Sequence, residues 1–323
     1  MNGSEPAEDR RSLTEPDGRE PAVDAPSQAP DPATETFVAH RNLLFTVAYE
    51  MLGSAADAED VLQETWLRWV GVDLAAVRDQ RAYLVRITTR QALNRLRTMS
   101  RRKEAYVGPW LPEPLLTAPD VAEDVELAES MSMAMMLVLE TLAPTERAVF
   151  VLREVFDLGY EEIAAAVEKT PAAVRQIAHR ARKHVDARRP RRAVSPSETR
   201  AALESFQRAL ENGDLQGLLA VLAPEVVYMG DGGGIKHAAL RPVLGAHNVA
   251  RLFAGIAGRA GTTVVALGPT VVNGTPALAV HLDGEFDGVI AVHVADALIT
   301  GLYFVRNPEK LSHATAETTL TRR

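Results

Sequence analysis

Between Asp57 and Lys103 the ionisable side chains change sign. Asp60, Gln63, Glu64 and Arg68 recur on one face of a helix, opposite Val61, Leu62, Thr65, Trp66 and Trp69. That face offers carboxylates to a basic partner. From Arg81 to Lys103 there are eight basic residues and no acid. This run offers arginines to phosphate. A second basic set follows: Arg175, Gln176, His179, Arg180, Arg182 and Lys183. Arginine and glutamine can make bidentate contacts to guanine and adenine, so Arg175 and Gln176 are the candidate base readers. Arg180, Arg182 and Lys183 are candidate phosphate contacts. For acid–base catalysis the candidates are Asp231, His237, His281, Asp283 and His293, and spacing alone pairs none of them. Asp231 opens the glycine turn Asp231-Gly232-Gly233-Gly234, which lacks the lysine and hydroxyl of a phosphate-binding loop.

The elements that must position these groups are mostly helices. Thr36–Gly53 predicts a helix with Phe37, Leu44, Phe45, Val47, Ala48 and Met51 inward, ended by Gly53. Ser54 or Asp57 caps the next helix, Asp57–Val70. The basic helix turns Tyr83, Leu84, Ile87, Leu93 and Leu96 to the core, so three helices make a domain able to fold alone. Tyr106–Thr117 is a loop, because Pro109, Pro112 and Pro114 forbid a helix. Its Trp110-Leu111 pair is an apolar anchor, either on the preceding helix or on another domain. Asp120 begins an acidic helix that continues through a methionine-rich stretch. Residues 144–158 read as one helix and Tyr160–Lys169 as a scaffold helix with Ile163, Ala164 and Val167 inward. Thr170 and Pro171 then start a third, whose apolar face is Val174, Ile177, Ala178, Ala181 and Val185. This is a helix-turn-helix, whose second helix enters the major groove.

After the basic hinge Arg188–Pro196 the pattern changes class. Two helices lead into a strand, Gly245–Arg259 is a further helix, and 262–267, 277–282, 286–294 and 297–305 read as strands. The expectation is a curved, mostly antiparallel sheet wrapped by helices around a pocket. Residues after His313 read as a loose tail.

The 323 residues carry a net charge of −8 that hides two basic blocks: residues 36–110 are +3 and 141–192 are +4, separated by a −7 stretch at 111–140. Residues 1–35 are acidic, Pro-rich and −6, with nothing to bury, and are expected to be disordered. There are no cysteines, which excludes disulfides and thiolate metal sites. No apolar run reaches the ~20 residues of a membrane span and no signal peptide is apparent, so a soluble cytoplasmic protein is expected.

The strings DAEDVLQETWLRW and RAYLVRITTRQALNRLR resemble the second region of a bacterial sigma factor of the extracytoplasmic-function type, and the helix-turn-helix resembles its fourth region. WLPEP at Trp110–Pro114, DGGG at Asp231–Gly234 and NPEKL at Asn307–Leu311 resemble signatures of a subgroup that carries a C-terminal SnoaL-like (NTF2-like) cone domain. The resemblance implies a multidomain fold: two all-α sigma domains and an α+β cone. It divides the chain into region two (36–106), linker (107–130), region four (131–188), hinge (189–196), regulatory domain (197–312) and tail (313–323).

It implies promoter-directed initiation of transcription without enzymatic chemistry or cofactors, with core RNA polymerase and promoter DNA as partners. Asp60, Gln63, Glu64 and Arg68 would meet the polymerase clamp helices. Arg86, Arg90, Asn94, Arg95 and Arg97 would open the minus-ten element, and the helix-turn-helix would read the minus-thirty-five element. Many such factors have a small polar residue in place of Arg90. Trp110, Leu111, Pro112, Asp231, Gly232, Gly233, Asn307, Pro308, Lys310 and Leu311 would form the regulatory contact. In the subgroup a lysine follows DGGG directly; here Ile235 intervenes before Lys236. Two other readings stand beside this one: a SnoaL-like enzyme, or a pocket sensing a small ligand, fused to a DNA-binding module.

Overall fold

The computed structural model describes residues 31–117, 125–188, 194–259 and 263–322. The expected disorder of the N-terminal segment, the start of the acidic helix and most of the basic hinge fall outside them.

Helix α1 spans Pro32–Leu52, α2 Ala55–Trp69 and α3 Gln80–Glu104. Residues 32–35, expected to belong to the disordered segment, are helical. The Ala33 carbonyl accepts a hydrogen bond from buried Trp69 Nε1 at 2.8 Å, which ties the first turn of α1 to the end of α2. Ser54 caps α2 and Asp79 caps α3, each side chain accepting a backbone N–H three residues on.

The acidic, methionine-rich segment forms two short helices, α4 (Val125–Met131) and α5 (Met133–Leu139), where one helix was expected. Ser132 caps α5 through Met135 N, and a capping serine turns the chain. Helix α6 (Pro144–Phe150) runs into a π-helical turn at Val151–Val155. Helices α7 (Tyr160–Val167) and α8 (Pro171–Asp186) form the helix-turn-helix, with Glu168 left-handed at φ 57° in the turn.

Their apolar side chains do not form two separate cores. One continuous cluster runs from Phe37 and Leu44 in α1 through Leu93 in α3 to Met136, Val149, Ile163 and Val185. Arg147 lies at the centre, 2% exposed. Its guanidinium donates to the Glu50 carbonyl at 3.0 and 3.2 Å and to Glu140 Oε1 at 2.6 Å, and Glu140 also pairs with Lys103. The buried Glu50 carboxyl accepts from Ser130 Oγ at 2.6 Å on one oxygen. Burial pushes it up to about 7, against the hydrogen bond from Ser130 and the charge of Arg147.

The C-terminal part holds α9 (Pro196–Glu211), α10 (Leu215–Val221), α11 (Ala246–Arg259) and six strands: β1 Leu222–Asp231, β2 Val243–Leu244, β3 Val265–Val272, β4 Thr275–Leu282, β5 Glu285–Ala295 and β6 Leu298–Val305. Their order is β2-β1-β6-β5-β4-β3, antiparallel except for β1 beside β6. The strand expected at 262–267 extends instead to Val272, because an edge strand tolerates Pro269. Asn273 at φ 53° and Gly274 at φ 70° close the β3–β4 hairpin.

One sheet face packs Leu278, Ile290, Leu302 and Phe304 against α9 and α11. Phe253 meets Phe206 and Tyr228 edge-on, with centroids 5.4 and 5.6 Å apart. These rings pack together between the sheet and its helices. The other face, with Ala277, Val289, Ala291, Tyr303 and Val305, packs on Leu111, Met133, Ala134 and Leu311. Residues 32 onward are thus one compact unit.

Because the folded state raises the Glu50 carboxyl from its ordinary range to about 7, stability from its protonated form is present at low pH and is lost as pH rises toward 7. Glu50→Gln keeps an acceptor for Ser130 and removes the buried charge. It is expected to raise stability above pH 7 by on the order of 1–3 kcal/mol and to flatten the dependence between pH 5 and 7, read from urea midpoints.

Candidate nucleic-acid interface

The α2 face remains open. Asp60, Gln63 and Arg68 are exposed and Glu64 is half-buried. Leu67 stands among them, 71% exposed. Arg68 donates to the Glu64 carbonyl at 3.1 Å.

On α3 the arginines divide. Arg86 lies over the Tyr83 ring at 4.6 Å, and Arg97 donates to Asn94 Oδ1 at 3.2 Å on the exposed side. Arg95 faces inward between α2 and α3: its Nε donates to buried Asp57 at 2.6 Å, and it also pairs with Asp60. In this conformation two carboxylates occupy the guanidinium of Arg95, which was expected to meet phosphate. Arg90 is exposed, but it is held by the helix-turn-helix: Nη2 donates to the Ala165 carbonyl at 3.0 Å and lies 3.3 Å from Glu168.

On α8, Arg175, Gln176, His179, Arg180 and Lys183 all reach solvent. Arg180 lies 3.6 Å from Glu146. Arg182 is engaged by Glu154 at 2.5 and 3.2 Å, so here it braces α8 against the π-helical turn instead of standing free for phosphate.

The linker Tyr106–Thr117 joins these surfaces to the sheet. Residues 111–115 and Thr117 are buried, which for a loop demands a partner for every backbone N–H. Leu111 N donates to Asp231 Oδ2 at 2.9 Å, Glu113 N to the Gly53 carbonyl at 2.9 Å and Leu115 N to Asn273 Oδ1 at 2.8 Å. Leu116 N donates to the His313 carbonyl and Thr117 N to the Val271 carbonyl. Pro112 and Pro114 have no N–H to satisfy.

WLPEP thus faces two ways. The Glu113 carboxylate accepts from Ser54 Oγ at 2.7 Å and from the amides of Ala55 and Ala56, capping α2. Leu111 instead enters the cluster on the outer sheet face.

DGGG and NPEKL meet WLPEP directly. Lys310 Nζ donates to Asp231 Oδ2 and to the Leu111 carbonyl, both at 2.7 Å, and lies 3.3 Å from the Trp110 ring centroid. Burial lowers Lys310 to about 8, although Asp231 opposes the shift. Tyr106 Oη donates to Asp231 Oδ1 and accepts from Asn307 Nδ2 at 2.8 Å. Pro308 opens the short 3-10 turn that Asn307 caps, and Leu311 packs on the sheet. A Cβ on Gly232 would stand 2.0 Å from the Lys236 carbonyl oxygen, and Gly233 has φ 61° with Asn307 against it, so neither position accepts a side chain. The displaced Lys236 donates to Asp287 at 3.1 Å and does not reach across to WLPEP. Asp287 also receives two bonds from Arg306, whose guanidinium donates to the His237 carbonyl.

Sequence reasoning missed a second contact of equal weight. Asn273, 1% exposed at the hairpin tip, donates from Nδ2 to Tyr49 Oη and to the Met131 carbonyl, both at 2.9 Å, while Oδ1 holds Leu115 N. Tyr49 Oη in turn donates to the Glu113 carbonyl at 2.6 Å. Asn-Gly between two strands marks a hairpin, but no sequence signal says what its tip touches.

The acid–base candidates are not brought together. Asp231 is consumed by the linker and Asp283 occupies the β4–β5 turn. His281 packs on Phe286, with centroids 5.6 Å apart. His293 bonds Thr300 Oγ1 at 2.6 Å and is lowered by burial. No cluster of three or more metal-ligating side chains occurs among the described residues.

Residues 36–102 match the family model for Sigma-70 region 2, and residues 132–185 that for Sigma-70 region 4. The chain is 35% identical over 289 residues to the ECF RNA polymerase sigma factor SigJ of Mycobacterium tuberculosis, covering 85% of this chain and 92% of that protein. It is 31% identical over 290 residues to a probable ECF RNA polymerase sigma factor, SigI, of the same organism, covering 89% and 97%. The crystal structure of SigJ superposes with a TM-score of 0.70 at 32% identity, covering 87% of this chain and 98% of that one.

Two substitutions probe the linker contacts. Lys310→Ala leaves the buried Asp231 without its cation and is expected to cost about 3–5 kcal/mol, whereas the double change with Asp231→Ala costs less than the sum of the singles. Asn273→Gly keeps the positive φ and deletes the side-chain bonds to Leu115, Tyr49 and Met131 and the weak one to Met136, at a cost on the order of 3 kcal/mol. Urea midpoints measure both, and faster protease cleavage between residues 106 and 117 marks the linker as the part released.

Proposed function

The chain belongs to the extracytoplasmic-function RNA polymerase sigma factors, and we propose that its SnoaL-like domain holds the two sigma regions in a conformation that cannot engage a whole promoter. Sigma factors of this family bind core RNA polymerase and promoter DNA and direct the start of transcription; they supply binding energy and base readout, and no chemistry. Among the described residues no helix is long and apolar enough to cross a membrane.

The observation that carries the proposal is Arg90. It lies on the helix assigned to the minus-ten element, yet it is held by the helix-turn-helix that reads the minus-thirty-five element. Those elements are about 25 base pairs apart by their names, or about 85 Å of duplex at ~3.4 Å per pair. A compact body of this length has a radius of gyration of about 19 Å. One closed molecule therefore cannot span both. The pinned linker fixes the separation of the regions, and its release frees region four to move away from α3.

Within this reading Asp60, Gln63, Glu64 and Arg68, with Leu67 between them, form the polymerase-docking face. Arg86, Arg90, Asn94, Arg95 and Arg97 serve the minus-ten element, and Arg175, Gln176, His179, Arg180, Arg182 and Lys183 the minus-thirty-five element, with Arg95 and Arg182 exchanging their carboxylate partners for phosphate. Trp110, Leu111, Pro112, Asp231, Gly232, Gly233, Asn307, Pro308, Lys310 and Leu311 form the regulatory contact.

In transcription with purified polymerase, chains ending at residue 195 or 306 are expected to exceed the full-length protein. Equal output from all three removes the regulatory claim. Co-purification with core polymerase is expected to weaken at least tenfold when Asp60, Gln63 and Glu64 are all changed to Ala. Undiminished binding places the docking face elsewhere.

A further inference from the structure

The segment after NPEKL is docked, contrary to the loose tail expected from its sequence. Ala314 is buried with the outer sheet face, and Leu320, 7% exposed, is buried in the helical core. Thr315, Ala316 and Glu317 between them are exposed. The segment therefore crosses from one core to the other with an anchor at each end.

Its backbone is held specifically. Thr318 N donates to the Leu116 carbonyl at 2.8 Å, and Thr117 bridges Thr318 in parallel while Leu116 bridges Val272 antiparallel. Single β-bridges thus join the linker to the edge of β3 on one side and to the tail on the other. Thr321 N donates at 3.1 Å to Oγ1 of buried Thr46, whose hydroxyl donates in turn to the Asn42 carbonyl. Arg322 pairs with Glu126 at 2.5 Å.

From this geometry we infer that α1 and the linker carry a docking site for an extended peptide with one buried leucine and a following basic residue. Its occupant in the closed molecule is the chain's own segment 315–322, which acts as a strap across the two cores. The inference rests on the closed-form reading above and adds a part to it that none of the three motifs contains. Opening must break one anchor. The Leu320 end, whose Arg322–Glu126 ion pair is exposed on the Glu126 side, is the one taken to open, because Ala314 is backed by buried Leu311 and Lys310.

The chain has no cysteine, so Leu320→Cys and, as an exposed control, Glu317→Cys each introduce a single thiol. In the free full-length protein, maleimide labelling at 320 is expected to be at least about tenfold slower than at 317. With core polymerase and promoter DNA bound, it is expected to rise to within about twofold of the control. Equal rates in the free protein overturn the docking. Slow labelling in both states overturns the strap, since the segment then stays seated during initiation.

A chain ending at Ala314 should initiate about tenfold more transcription than full length, the equilibrium factor for losing one buried leucine. A synthetic 314–323 peptide at millimolar concentration should reverse the gain, and the same peptide carrying Leu320→Asp should not. Equal effects of the two peptides sink the site. If ending the chain at 195 activates and ending it at 314 does not, the strap alone falls. If neither activates while Leu320→Cys is protected, the closed-form reading falls and the docking stands.

Discussion

A buried loop has to satisfy its backbone, and the arrangement of this protein follows from how residues 111–117 do so. Five N–H groups need acceptors, and they find them in the Gly53 carbonyl of the first helical pair, in Asp231, Asn273 and Val271 of the sheet domain and in His313 of the C-terminal segment. The carbonyls are met by Lys310, Tyr49, Asn273 N and Thr318 N. No one domain supplies the whole set, so a linker buried in this way requires all of them at once. Prolines at 112 and 114 remove two donors that would otherwise need partners and hold the chain extended.

Electrostatics reinforces the same junction. Asp231 is fully buried, and an unpaired carboxylate there would be strongly unfavourable; Lys310, Tyr106 and Leu111 N meet it, with the Trp110 ring beneath the ammonium. The second buried charge, Arg147, joins α1 to α6 through carbonyl and carboxylate acceptors. Both sites gain little over apolar packing of the same volume, but each is costly to break halfway. That property suits contacts that make or release whole domains. The outer sheet face adds the apolar part, since Tyr303, Val305 and Val289 would face water without α5, Leu111 and Leu311.

The nucleic-acid surfaces are affected unequally. Helix α8 keeps its reading residues in solvent, and α2 keeps its acidic face open. Restraint falls on α3, where Arg90 is engaged from across the helical core and Arg95 is drawn inward by Asp57 and Asp60. In the proposed closed form, control would act through the spacing of the two regions more than through covering either one.

The helices were legible from the sequence because caps and periodicity are local: Ser54, Thr170 and Pro171 stand where the chain turns, and the α8 start follows from them. The α+β character of the C-terminal part, the helix-turn-helix and the chemical sign of each surface were legible for the same reason. WLPEP, DGGG and NPEKL could be singled out as strings that the resemblance brings to one contact, but the Lys310–Asp231 pair on which they meet could not be read from them. Tertiary structure alone decided that Asn273 reaches Tyr49, that Leu320 enters the first helical core and that Arg90 and Arg182 are occupied. Each of these joins residues far apart in the chain, and the physical terms that select them are burial of a specific surface and satisfaction of a specific donor. Those terms have no period and leave no mark in a single segment.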